Sequence, residues 1–329
     1  MKAIACVRTE LADVELEAPV PAKRDVVVEV RAVSVNPVDT KVRRGHQSDD
    51  RRVLGWDAAG VVVGLGPEAS SFAVGEEVWF AGAIGRAGTN AQRCAVDERI
   101  VARKPRTLDF AQAAALPLTT LTAYEAFFDR MRIGRGEASR GKTLLVVGGA
   151  GGVASIAIQL ARVLTETTVI ATAGREESRA WVKDMGAHHV VDHRSELRPQ
   201  IEALGLKHVD YVLCTADTDP YFATLADLVA PQGFLCFIVA PTAPIEIGPL
   251  QRKSVTVAWE LMFTRAIFET SDMGEQGRLL GEVAALVDAG RIRTTMTKRL
   301  APITARTLRE AHALIESGAT VGKIVLEGW

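Results

Sequence analysis

The sharpest chemical signal in the 329-residue chain is the run LLVVGGAGGVASIAIQLA, where an apolar strand turns through Gly149, Gly151 and Ala154 into an apolar helix. The spacing is GxGxxA. The first glycine permits a tight turn, the second lets backbone approach a pyrophosphate, and the small third residue allows close helix–strand packing. The helix N-terminus, at Gly152 and Val153, offers unpaired N–H groups and the positive end of the helix dipole to the phosphates. Alone, such a run also reads as a turn of small residues; embedded in the β/α alternation that follows, it reads as a dinucleotide-binding loop. The choice of dinucleotide is made at the end of the next strand, where a carboxylate would hold the ribose 2′-hydroxyl of NAD. Here the strand TVIATA ends in Ala173, Gly174 and Arg175. A guanidinium at that tip, with Arg179 to assist, pairs with a 2′-phosphate and points to NADPH. Glu176 and Glu177 beside it are the features of a solvated loop arginine instead.

The elements that must position this loop change character along the chain. To about residue 120, short β-type runs such as VVVEVRAVSV, AAGVVVGLG and EEVWFAG alternate with Gly, Pro and Asp turn signals. From about 141 to 240, strands alternate with helical segments, which predicts βαβ units and a parallel sheet buried on both faces. The last 65 or so residues return to mixed character and lack a core of their own, so they are expected to pack on the first domain. Lys plus Arg (39) nearly cancels Asp plus Glu (40), and no block of like charge occurs, which removes the driving force for nucleic-acid binding. No apolar run approaches the roughly 18 residues of a membrane span, and the N-terminus is charged too early for a signal peptide. The four cysteines, Cys6, Cys94, Cys214 and Cys236, lie at least 22 positions apart, so no local CxxC pair or zinc knuckle exists. A cytoplasmic protein with reduced thiols is the expectation.

Taken with VSVNPVDTKVRRG, LGWDAAGVVVGLG, VGEEVWFAG, AAALPLTTLTAYEAF and the closing GKIVL, the chain resembles the medium-chain dehydrogenase/reductases over its full length. Within them it resembles the zinc-independent quinone oxidoreductase branch, and WDAAG, DERIV, GAHHVVDH and WELMFTR are similar to the zinc-type alcohol dehydrogenase-like subgroup. The fold implied is α/β: a discontinuous, mostly β GroES-like catalytic domain plus a Rossmann domain with a doubly wound parallel sheet. The domains expected are 1–122 for the first catalytic part, 123–262 for the NADP-binding domain and 263–329 for the return. Zinc alcohol dehydrogenases place a catalytic Cys where this chain has Asn36, and a His and a Glu where it has Trp56 and Asp57. Their structural-zinc lobe is represented only by Cys94, so no metal is expected.

Without a Lewis acid, the alkoxide of a simple alcohol is poorly stabilised. A quinone or an α,β-unsaturated carbonyl spreads the incoming charge, and a few hydrogen-bond donors suffice. The expected acceptor is therefore a small-molecule quinone or enone. The resemblance assigns Asn36, of the pattern NxxDxxxRxG, to the acceptor oxygen or a nicotinamide ribose hydroxyl, Thr122 to the nicotinamide, and Trp56 to an apolar wall. Asp39 reads as a helix-start or structural carboxylate, with a catalytic role as the alternative. Lys41 stands where some relatives have tyrosine and replaces it as an acid only if it points inward, so as a solvated surface lysine it leaves water as the proton source. Thr215 with Ala216, and Val239 with Ala240, end the next two strands, where the cofactor passes, and Lys323 of GKIVL is either a further cofactor contact or an ordinary strand-edge lysine. Trp259, Glu260, Met262, Phe263 and Arg265 read as substrate wall or dimer contact, because SVTVAW can pair across a twofold axis and a homodimer is expected. The competing readings are a zinc-type alcohol dehydrogenase and a low-turnover NADPH-binding sensor or structural protein.

Overall fold

The structure is a computed structural model that describes all 329 residues. It divides into two compact units, Met1–Leu121 with Met262–Trp329, and Thr122–Leu261. In chain order the first stretch contains strands β1 (Lys2–Val7), β2 (Glu10–Glu15) and β3 (Asp25–Val35), helix α1 (Pro37–Gly45), and strands β4 (Arg52–Val53), β5 (Ala58–Leu65), β6 (Glu77–Phe80), β7 (Arg93–Asp97) and β8 (Val101–Arg103). Helices α2 (Phe110–Ala114) and α3 (Pro117–Glu125) follow. The middle stretch alternates β9 (Thr143–Val147), α4 (Gly152–Leu164), β10 (Thr168–Thr172), α5 (Glu176–Asp184), β11 (His189–Val191), α6 (Leu197–Ala203), β12 (Val209–Cys214), α7 (Thr218–Leu228), β13 (Val229–Phe237), α8 (Gly248–Gln251) and β14 (Thr256–Trp259). The return carries α9 (Thr264–Ile267), α10 (Glu275–Asp288), β15 (Met296–Leu300), α11 (Ala305–Glu316) and β16 (Lys323–Glu327).

The middle unit is a six-stranded sheet in the order β11-β10-β9-β12-β13-β14, parallel at every pairing. All five residues of β9 are buried, as a strand covered by helices on both faces requires. The order reverses between β9 and β12, and in such sheets ligands bind beyond the strand carboxyl ends at that switch point. In the other unit β3 is the organising strand. Its near-continuous apolar run pairs with β5, β7 and β16, and the sheet runs β15-β16-β3-β5-β6-β8 with β7 added on β3. The strand from the return, β16, is thereby hydrogen-bonded to a strand laid down nearly 300 residues earlier. No helix is long and apolar enough to cross a membrane.

Helix α11 begins with Thr304 accepting from the Thr307 N–H at 3.2 Å, and it packs against α1, β2, β3 and β16. Its inner face buries His312 completely, with neither ring nitrogen hydrogen-bonded. Burial, reinforced by the nearby Arg43 charge, pushes His312 down from the ordinary 6.5 to about 4. The unfolded chain therefore takes up this proton below pH 6.5, the folded chain only below about 4. The associated stability is fully present above pH 6.5, falls as acid is added, and is lost by about pH 4, a loss of about 3 kcal/mol. We predict that His312→Leu flattens this acid limb, read as a smaller drop in urea midpoint between pH 7 and 4 than in the parent protein. An equal drop in both would mean that His312 is not buried neutral.

Candidate active site

The middle unit builds a phosphate cradle from backbone. After β9, Gly148 turns the chain at φ 81°, a conformation that L side chains rarely adopt. A Cβ there would lie 2.7 Å from Thr215 Oγ1, and one at Gly149 would lie 2.8 Å from the Thr172 carbonyl oxygen. Gly149 N–H donates to Thr172 O at 3.0 Å and Gly151 N–H to Gly148 O at 2.9 Å, which pins the loop to β10 and to itself. Gly151 caps α4 without a side-chain hydrogen bond, so the first-turn N–H groups at Gly152 and Val153 receive no side-chain cap. This arrangement fits a bound pyrophosphate. Gly148 was missed in the sequence, because the GxGxxA frame begins one residue later.

At the tip of β10, Arg175 is exposed and starts α5, its N–H donating to Ser178 Oγ at 3.0 Å. Arg179 is half-buried and reaches Ala173 O with Nη1 at 3.4 Å. A third guanidinium, unforeseen, joins them: Arg194 lies against Gly174, where an added Cβ would meet its Nε at 2.7 Å. Asp192 holds Arg194 through Nε at 3.0 Å and Nη2 at 2.7 Å. The adjacent His193 is pushed down by burial, with Asp192 opposing and Arg194 and Arg175 reinforcing, which leaves it neutral at pH 7. The signal for Arg194 lay in topology, since the end of β11 stands beside the end of β10.

Thr215, immediately after β12, donates Oγ1 to Val147 O at 2.7 Å and its N–H to the same oxygen at 3.1 Å, so it buttresses the glycine turn. Val239 is half-buried and its carbonyl accepts from Thr218 Oγ1, while Ala240 is exposed. Thr122 is buried on α3.

The other unit gathers Asn36, Trp56, Asp57 and Lys323 into one buried cluster. Lys323, on β16, donates to Val35 O at 3.0 Å, to Asp57 Oδ2 at 3.1 Å and to Asn36 Oδ1. Asn36 Nδ2 donates in turn to Asp57 Oδ2 at 2.9 Å and Trp56 O at 3.2 Å, and Asp57 Oδ1 accepts from the Leu118 N–H at 2.8 Å. Burial pushes Asp57 up, opposed by Lys323 and by its hydrogen bonds to Asn36 and Leu118. Asp39, at the start of α1, accepts the Asn36 N–H at 2.6 Å through Oδ2, while its buried Oδ1 has no hydrogen-bond partner. Burial raises Asp39 to about 7, against the pull of the Asn36 N–H and Lys323.

The three ammonium donors of Lys323 have three protein acceptors. The Asn36 amide likewise spends both donors inside the cluster and must release one to bind an acceptor oxygen. Trp56 packs edge-on against Phe263 at 6.0 Å and lines a cavity of about 610 Å³ with Gly82, Ala83, Arg86, Ile267 and Met273. Lys41 is on the exposed face of α1. The return cluster is divided rather than single: Trp259 stacks near Phe237 at 5.4 Å and Glu260 pairs with Arg130, whereas Phe263 joins Trp56 and Arg265 pairs with Asp272. No group of three or more His, Cys, Asp or Glu side chains is placed to hold a metal ion, and all four cysteines are free and buried. A zinc ion does not fit a donor set of indole, engaged amide and ion-paired carboxylate.

Residues 22–106 match the alcohol dehydrogenase GroES-like domain family, and residues 185–326 match the zinc-binding dehydrogenase family. A zinc-type alcohol dehydrogenase-like protein of Staphylococcus aureus is 39% identical over 313 residues, covering 95% of this chain and 93% of its own. An Arabidopsis thaliana NADPH-dependent alkenal/one oxidoreductase is 38% identical over 182 residues, covering 52% of this chain and 45% of its own. A quinone oxidoreductase of Lama guanicoe is 29% identical over 318 residues, 95% and 91% of the two chains. Among solved structures, a Rhizobium etli protein described as a zinc-dependent alcohol dehydrogenase superposes with TM-score 0.96 at 53% identity, covering 100% of this chain and 98% of its own. Mycobacterial Rv1454c complexed with NADPH superposes with TM-score 0.85 at 27% identity, over 99% and 100% of the chains.

Removing one member of a buried ion pair leaves the other charge uncompensated. Lys323→Met is therefore predicted to cost about 3–5 kcal/mol of stability, and adding Asp57→Asn to recover part of that loss. Urea unfolding of the parent, both single variants and the double variant measures the coupling. Strict additivity would mean that the ammonium and carboxylate do not depend on each other.

Proposed function

Because the chain belongs to the zinc-type alcohol dehydrogenase-like proteins of the medium-chain dehydrogenase/reductase superfamily, we propose an NADPH-dependent oxidoreductase that works without zinc. Its acceptors are quinones or α,β-unsaturated carbonyl compounds, reduced by direct hydride transfer. The observation that carries this reading is the ammonium of Lys323, ringed by Asn36 Oδ1, Asp57 and Val35 O where a metal-dependent relative would need free ligands. Bound NADPH supplies the hydride. The chain's own residues then have only to stabilise charge already delocalised over a conjugated acceptor, a task within reach of a few fixed donors.

Asn36, polarised by Lys323, is assigned to the acceptor oxygen or a nicotinamide ribose hydroxyl, Thr122 to the nicotinamide face, and Trp56 with Phe263 to the apolar wall. Gly149, Gly151, Gly152 and Val153 cradle the pyrophosphate, Thr215 supports them, and Val239 and Ala240 lie toward the carboxamide. Arg175 and Arg179, now with Arg194, favour the 2′-phosphate of NADPH. Water supplies the proton, since Lys41 faces outward. We read the protein as a cytoplasmic homodimer. The far edge of β14 is unpaired, and Trp259, Leu261 and Ile247 are 44%, 50% and 65% exposed in that stretch, a surface suited to a second copy.

Oxidation of NADPH and NADH with a panel of naphthoquinones, enals and saturated aldehydes, with zinc assayed on the same sample, tests the reading. We expect NADPH-dependent turnover of the conjugated acceptors only, with zinc far below one ion per chain. Stoichiometric zinc with turnover of simple alcohols would overturn it. Arg175→Glu is predicted to raise KM for NADPH by roughly 10- to 100-fold, the worth of a charge-assisted hydrogen bond, and to change KM for NADH much less. Equal effects on both cofactors would remove Arg175 from the 2′-phosphate. Sedimentation should give a dimer, and Trp259→Arg a monomer; an unchanged mass would place the interface elsewhere.

A further inference from the structure

The largest buried charge problem in the middle unit has no part in the assignments above. Glu125, the last residue of α3, is fully buried, and Glu260, just beyond β14, is 3% exposed. Both carboxyl groups lie within ion-pair distance of the same guanidinium, and neither Glu260 oxygen has a hydrogen-bond partner. One guanidinium cannot balance two carboxylates in a dry site, so one of the two must carry a proton. A single guanidinium faces the pair: Arg130 places Nε 2.8 Å from Glu260 Oε2 and Nη2 3.7 Å from Glu125 Oε2. Arg130 ends a π-helical turn, Ala126–Arg130, that continues α3, the kind of irregularity found disproportionately at functional sites.

The location connects the pair to the ligand end of the sheet. Glu260 N–H donates to Phe237 O at 2.9 Å, tying the residue after β14 to the last residue of β13. Val239 and Ala240 follow Phe237 after one residue, Ile238. On the helix side, Thr122 is three residues before Glu125, so the two share one face of α3. We infer that Glu125 and Glu260 are positioning residues that share a single proton beneath Arg130, and that this proton clamps the carboxyl end of the sheet to α3. The clamp holds Thr122 and the Val239–Ala240 turn in place for NADPH. This inference rests on the proposed NADPH site.

Loss of the proton sets two carboxylates against one guanidinium in a dry site, and the clamp is then strained. Burial, followed by the neighbouring Glu125 charge, raises Glu260 to about 9, opposed by Arg130. Cys236 on β13 also faces it and feels Glu260, Arg130 and Cys214, and burial holds the Cys236 and Cys214 thiols at about 12. The guanidinium groups at the 2′-phosphate end keep their charge throughout this range. An alkaline loss of cofactor binding near pH 9 is thus expected to belong to the carboxyl pair.

NADPH binding, followed by fluorescence from pH 7 to 10 with circular dichroism as a check on folding, tests the clamp. For the parent protein we expect at least 10-fold weaker binding at pH 10 than at pH 7. In Glu260→Gln and Glu125→Gln the amide replaces the protonated carboxyl, so binding should match the parent within about twofold at pH 7 and change less than threefold by pH 10. Glu260→Ala, which removes the contact, should weaken binding at least 10-fold at every pH. A parent protein without an alkaline loss, or one whose loss persists unchanged in both Gln variants, overturns the clamp alone. A parent protein that does not bind NADPH at pH 7 overturns the cofactor reading, and the clamp with it.

Discussion

The contact on which most of this molecule turns is the buried ion pair between Lys323 and Asp57, with Asn36 between them. An ammonium in a protein interior is tolerated only when every donor finds an acceptor, and here Val35 O, Asn36 Oδ1 and Asp57 Oδ2 meet that demand. Those three acceptors come from the end of β3, the start of α1 and the stretch before β5, while the lysine arrives on β16. The same few atoms therefore complete the discontinuous sheet, orient Asn36 and hold the Leu118 N–H at the approach to α3. Fold closure and site geometry are one arrangement rather than two.

That arrangement also explains what kind of chemistry the chain is suited to. A lysine is a fixed single charge with three directional donors, and it cannot open a coordination position for a substrate oxygen as zinc does. In the proposed reaction it would bias the Asn36 amide toward the acceptor, which is modest help, sufficient when the acceptor disperses its own charge and insufficient when it does not. The wall of Trp56 and Phe263 adds a low-dielectric side to the site, where a hydrogen bond to a developing charge counts for more than it would in water.

Much of the fold was legible because its signals are local. The alternation of apolar strands with helices from 141 to 240 follows from periodicity, and the glycine spacing before α4 follows from what a phosphate needs of a backbone. The exposed position of Lys41 and the place of Asp39 at the start of α1 were likewise readable in the sequence. What escaped notice was brought together by tertiary contact. Arg194 reaches Gly174 from a different β/α unit, Glu125 and Glu260 are separated by the whole middle unit, and Lys323 reads as a strand-edge residue until β16 is seen inside the sheet against β3. The run from Trp259 to Arg265, readable in sequence as substrate wall or dimer contact, is divided for the opposite reason. Adjacent residues in sequence there belong to two different cores.

The order in which these parts leave the ribosome follows from the discontinuity of the first unit. The middle unit is one uninterrupted stretch and can reach its final hydrogen bonding as soon as β14 has emerged. The first unit cannot, because Asn36 and Asp57, synthesised early, wait through more than 260 further residues for the lysine that neutralises them. During that interval the Ala32–Val35 end of β3 lacks its neighbour β16, while Asp25–Glu29 is already paired with β7. The nascent chain is therefore most exposed to misassociation after its middle unit has folded and before β16 emerges.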